Sequence, residues 1–189
     1  TNWGQIISTL RSQNIGKPVA IASKNLFFPR EFVAPSGTDS GFCTDSAQPC
    51  KTISYALSKA VDGGEIRVAA GTYPEQIQVT HPVSLTGGFS TANWVTPAWT
   101  TNQTILDGQQ SYRPLTINAD GVRVDGFVVR NGNASGGSHV GGGIFIGSVN
   151  VVDRAALANL RLENNLASNS DGGEGGGGGG LDGVLKREG

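Results

Sequence analysis

Residues 115–132, LTINADGVRVDGFVVRNG, decide how this chain folds. They hold three apolar triplets, LTI at 115–117, VRV at 122–124 and FVV at 127–129, each halted by Asn, Asp or Gly. Strand residues cut by tight turns leave no room for a helix. A hairpin of three-residue strands would not hold together alone. Each triplet therefore needs an equivalent segment beside it, one coil earlier and one coil later. That is the logic of a parallel β-solenoid, in which no repeat buries its own apolar face.

Similar triplets lie on both sides: IRV at 66–68, IQV at 77–79, VSL at 83–85 and TIL at 104–106 upstream, then IFI at 144–146, VNV at 149–151 and LRL at 160–162. Taking one strand per coil by its last apolar residue gives Val68, Leu85, Leu106, Val124, Ile146 and Leu162, at steps of 17, 21, 18, 22 and 16 residues. Uneven steps suit coils with unequal loops, and these six side chains are expected to point into one stack. The competing architecture is an antiparallel sandwich of short strands. It would want Asn-Gly or Asp-Gly turns between long alternating strands, and no such pair exists here.

Composition agrees with an all-β chain rich in turns. Of 189 residues 29 are Gly, about twice the usual share, while apolar residues make 37% and charged residues 15%. A net charge of −1 carries no electrostatic footprint for nucleic acid. No run of 18 apolar residues offers a transmembrane helix. The chain lacks Met altogether, and a processed or trimmed N-terminus is the expectation. The two cysteines, Cys43 and Cys50, bracket a loop containing Pro49. A local disulfide is the better reading and two free thiols the other; a metal site would need more ligands than this stretch supplies. A disulfide would imply an oxidising, extracytoplasmic home.

Along the chain, residues 1–32 form an apolar N-terminal extension, with a short amphipathic helix near Trp3 and Leu10 and extended pieces at 19–21 and 26–28. The extension is expected to pack on the solenoid or on a partner. Residues 33–170 are the solenoid, with a capping helix near 51–61 whose apolar face carries Ile53, Leu57 and Ala60 or Val61. Residues 171–189 are a Gly-rich C-terminal segment, either tight corners or low-complexity sequence.

The stretch FVAPSGTDSGFCTDSAQPCKTISYALSKAVDGGEIRVAAGTYPEQIQV, from Phe32 onward, resembles the opening of right-handed parallel β-helix proteins of the pectin-lyase-like superfamily. The quoted features are a short strand at 33–35, a Gly/Asp/Ser-rich loop, a Lys-Thr-Ile helix, a Gly-Gly turn and a coil ending in Gly-Thr-Tyr. The likeness continues through Gly-Gly-Phe, a Trp-containing loop and TILDG at 104–108. The Gly-Gly-Gly-Ile and Leu-x-x-Asn pairs further on are similar to those of polymorphic outer-membrane and related bacterial surface β-helices. The resemblance implies a fold more than an activity, because that opening is shared by enzymes, adhesins and structural proteins.

Enzymes of that superfamily act on acidic polysaccharides through clustered carboxylates, and those signatures are missing. There is no Gly-His-Gly, no Asp-Asp pair and no Arg-x-Lys segment, and His81 and His139 stand apart. Asp107 and Asp125 each precede a Gly, as turn formers do. Trp94 and Trp99 flank Pro97 in the longest loop so far. They form either a sugar-stacking platform or a seal on the wall. Arg67, Arg123 and Arg161 each lie between two apolar residues, so alternation turns them outward, as anion contacts or as solvated positions. The candidate ligand-binding residues are thus Trp94, Trp99, Arg123 and Arg161, with no catalytic residue, metal ligand or cofactor assigned. NQT at 102–104 and NAS at 133–135 match the N-glycosylation pattern.

The leading expectation is a secreted or cell-surface structural or adhesive module, self-associating head to tail through residues 1–32 and open solenoid ends. The alternatives are a polysaccharide lyase or glycoside hydrolase, or a carbohydrate-binding module. No capping helix is expected after Leu166. Either the β-helix continues in a longer protein or a neighbouring subunit fills the end.

Overall fold

A computed structural model describes residues 29–134, 141–147, 155–167 and 181–183. Among them the regular structure is nearly all strand, arranged in three parallel sheets. The strands are β1 (Arg30–Val33), β2 (Gly64–Ala69), β3 (Gly71–Tyr73), β4 (Ile77–Val79), β5 (Val83–Phe89), β6 (Thr104–Asp107) and β7 (Leu115–Ile117), then β8 (Val122–Asp125), β9 (Phe127–Arg130), β10 (Ile144–Ile146), β11 (Ala155–Ala158), β12 (Arg161–Glu163) and β13 (Leu181–Gly183). One helix, α1 (Ile53–Leu57), lies between β1 and β2.

From β2 onward the chain visits the sheets in rotation, and every strand pairs with the strand three places later. Sheet A runs β1-β2-β5-β8-β11, sheet B β3-β6-β9-β12 and sheet C β4-β7-β10-β13. The triplets of 115–132 become β7, β8 and β9, one in each sheet. Each pairs in parallel with an earlier and a later strand.

Alternation then builds inward columns, because strand side chains point to opposite faces in turn. Register aligns Ile66, Leu85, Val124 and Leu157 in sheet A. It aligns Tyr73, Leu106, Val129 and Leu162 in sheet B, and Ile77, Leu115 and Ile144 in sheet C. The middle members are fully buried in one core. The expected single stack is therefore corrected. Val68, Leu85 and Val124 belong to sheet A, Leu106 and Leu162 to sheet B, and Ile146 to sheet C. Leu162 keeps its inward column yet is 38% exposed, because among the described residues nothing continues sheet B beyond β12.

The first strand starts at Arg30, ahead of the expected 33–35, and runs across the 32/33 boundary. The helix is also shorter than the expected 51–61. Thr52 caps it, its Oγ1 accepting from Tyr55 N–H, and Asp39 accepts from the N–H of Lys51 and Thr52. Glu75 reaches back from beyond β3 to accept from Ile53 and Ser54 N–H. Ile53, Ala56 and Leu57 are buried and Ala60 packs at the margin, but Val61 is 48% exposed. Cys43 and Cys50 are joined by a disulfide. The proposed pieces at 1–28, VNV at 149–151, His139 and most of 171–189 lie outside the described residues. Within that last segment, β13 pairs with β10.

Candidate functional site

The corner between sheets A and B collects most of the residues singled out from sequence. The chain turns there at Gly88, Gly126 and Asn159, with φ of 86°, 78° and 50°. Glycine suits the first two for a second reason. A Cβ on either would overlap Trp99 at Cδ1 and Nε1, so the indole lies directly over bare backbone. Thr104, fully buried, ties the corner from inside. Its hydroxyl accepts from Gly88 N–H at 2.8 Å and lies 3.3 Å from the carbonyls of Val68 and Ala69.

Trp99 remains 38% exposed, whereas Trp94 is buried. The Trp94 ring meets Phe32 edge-on at 5.1 Å between centroids and lies 6.1 Å from Phe89. The two tryptophans of the loop thus do different jobs: Trp94 seals the outer face of sheet A, and Trp99 sits over the corner. A platform of two exposed rings is not formed.

The arginines are outward, as alternation requires, and each has a carboxylate. Arg123 pairs with Asp125 at 2.6 Å, and Asn159 Nδ2 donates to the other Asp125 oxygen at 2.7 Å, so β8 is stitched to the turn after β11. Arg161 pairs with Glu163 at 2.7 Å and reaches Gln103 Oε1 at 3.4 Å. Arg67 pairs with Glu65, lies 5.2 Å from the Phe89 ring and donates to the Trp94 carbonyl. Asp125 directly precedes Gly126 under Trp99. The structure therefore brings Trp99, Asp125 and its Arg123 partner to one corner, and separates Trp94 from them.

At the far end of β6, Asp107 does the turn duty its Asp-Gly sequence suggested. It accepts from Gln109 N–H at 2.9 Å, Arg130 Nε at 2.9 Å and Asn131 Nδ2 at 3.1 Å. Burial alone would raise this carboxyl. The Gln109, Arg130 and Asn131 hydrogen bonds and the Arg130 charge outweigh it and hold the pKa below the ordinary Asp value. Glu65 behaves likewise, with burial overcome by Arg67 and Arg30.

One carboxylate was missed from sequence. Glu31 faces inward from β1, aligned with Ile66 at the head of the apolar column, and is 1% exposed. Its Oε2 has no hydrogen-bond partner. Burial, opposed weakly by a backbone hydrogen bond, pushes its pKa up to about 7. The alternation of REFV in 30–33 is the signal that could have found it, once the strand is started at Arg30.

A concavity of about 610 Å³ opens between α1 and the β4–β5 turn, lined by Ser54, Leu57, Val61, Asp62, Gln78 and His81 among others. His81 Nε2 is buried without a partner, so that nitrogen is not offered to the cavity. Among the described residues no three His, Cys, Asp or Glu side chains gather as metal ligands, and no helix is long and apolar enough to cross a membrane. Comparison with known proteins gives no matching family model, no matching curated protein and no matching solved structure.

Proposed function

We propose that this chain is a right-handed parallel β-helix of the pectin-lyase-like kind, closest to secreted bacterial surface β-helices. It acts outside the cytoplasm as a structural or adhesive module that joins other copies head to tail. The rotation of strands through three parallel sheets supports the β-helix, and the disulfide supports the compartment. The observation that carries the non-enzymatic reading is the use of the carboxylates. Asp107, Asp125, Glu65 and Glu163 are all held in ion pairs, and the first three also link strands or turns of neighbouring coils. Asp107 is moreover held low, the wrong direction for a general acid. Apolar surface at the last described coil, with Leu162 38% and Leu166 53% exposed, supports joining at that end.

The test is the mass in solution by light scattering, for the parent and for a variant lacking residues 1–28, which leaves β1 whole. The parent is expected to form concentration-dependent polymers and the shortened chain to lose them. A parent that stays monomeric, or a shortened chain that assembles equally, refutes the assembly. Carbohydrate binding is the second reading, favoured by the half-exposed indole of Trp99 over its glycine floor. Retardation in polysaccharide gels that vanishes in Trp99→Ala would establish it.

A further inference from the structure

The disulfide stands where a parallel sheet would otherwise present an open edge. Strand β1 is the first of sheet A, and the backbone groups of Phe32 within it and of Ala34 just after it face away from β2. Phe32 N–H donates to the Cys43 carbonyl at 2.7 Å. Cys50 N–H donates to the Phe32 carbonyl at 2.9 Å, and Ala34 N–H to the Cys50 carbonyl at 2.9 Å. The two residues that satisfy the Phe32 and Ala34 groups are the two joined by sulfur. Unsatisfied edges are templates for pairing with another strand, and a covering loop is one way to blunt them.

The two halves of the cover are not equally secured. Cys50 is fixed without its sulfur: Thr38 N–H donates to the Pro49 carbonyl, and Asp39 accepts from the N–H of Lys51 and Thr52 and from the Thr52 hydroxyl. Cys43 holds a left-handed backbone, φ 59°, beside Phe42, which is 73% exposed. The Cys43 side is held by the bond to Phe32, a 3.2 Å hydrogen bond from Tyr55 to the Gly41 carbonyl, burial of Cys43 in the core and the sulfur, which is its one covalent tie.

We propose that Cys43–Cys50 is a redox latch on the edge of sheet A. A dithiol reductant transfers two electrons: its thiolate attacks one sulfur, the S–S bond breaks, both cysteines end as thiols, and the reductant leaves as its own disulfide. The Cys43 side then swings away and frees Phe32 N–H, while Cys50 continues to hold Ala34. Phe42, next to Cys43 in the chain, and Val95, next to Trp94, are 73% and 80% exposed.

Native-state amide exchange on the full chain, oxidised and then reduced with dithiothreitol, tests the latch. Reduction is expected to lower Phe32 protection about 30-fold or more and to leave Ala34 and β5 nearly unchanged. Equal Phe32 protection in both states overturns the proposal. So does a parallel loss across all of sheet A, which would make the bond a general staple. The Cys43→Ser/Cys50→Ser double variant should reproduce the reduced pattern; a variant with the oxidised pattern also overturns it.

Discussion

Among the described residues, the first and last strands of the three-sheet stack are of the same kind but are covered differently. At the N-terminal end α1 covers the core, with Ile53, Ala56 and Leu57 buried, and the disulfide loop covers the edge of β1. At the other end of the described residues Leu157 is only partly buried, and Leu162 and Leu166 are exposed. Leu162 stands in the same column as Leu106 and Val129, which are 1% and 0% exposed. Position in a column therefore decides which way a side chain points, and a covering element decides whether it is buried. Stability should be distributed accordingly.

The largest effect expected is in the middle. Leu85→Ala should cost about 2–4 kcal/mol by chemical denaturation, through lost burial and a residual cavity. Leu162→Ala should cost less than about 1 kcal/mol, because a half-exposed side chain loses little contact. Equal costs would erase the contrast between a covered column and an open one.

Next comes the capped end itself. Glu31 has a folded pKa of about 7 against an ordinary value of 4.5, so between those values the folded state binds more protons than the unfolded state. Stability from this group is complete below pH 4.5 and is lost as pH rises toward and past 7, by up to about 3 kcal/mol. Glu31→Gln should remove that slope and be more stable than the parent at pH 8. A parent melting curve that is flat or rising over pH 5–8 would show that burial does not hold the proton on Glu31.

A smaller effect of opposite sign is expected at Asp107. Its lowered pKa means that stability is present at neutral pH and is lost as pH falls below the ordinary Asp range. Asp107→Asn should cost about 1–2 kcal/mol at pH 7 through weakened bonds to Arg130 and Asn131, and the difference should shrink in acid. A constant difference down to pH 3 would mean that the carboxylate charge is unimportant there.

Much of this was legible in the chain. Alternation placed the triplets of 115–132 as strands and turned Arg123 and Arg161 outward. Cysteine spacing favoured the disulfide, and Asp-Gly marked Asp107 as a turn residue. The assignment of strands to sheets was not legible. A period of two states which face a side chain takes, not which of three sheets its strand joins, and unequal loops hide the rotation: Leu85 pairs with Val124, while Ile66 pairs with Leu85 only 19 residues on. Strand β11, AALA, carried no strand signal, since alanine favours helices and its pairing comes from β8 alone. The split between Trp94 and Trp99 depended on Phe32 and Phe89, distant in sequence or across a turn, which no local pattern reveals.

Hydrogen exchange along sheet A of the oxidised chain tests the contrast between the ends most directly. Slow exchange is predicted in β2, β5 and β8, nearly as slow at the covered strand β1, and much faster in β11. Protection in β11 equal to that of β5, or β1 exchanging as freely as β11, would contradict a stack that, among the described residues, is covered at β1 and uncovered at β11.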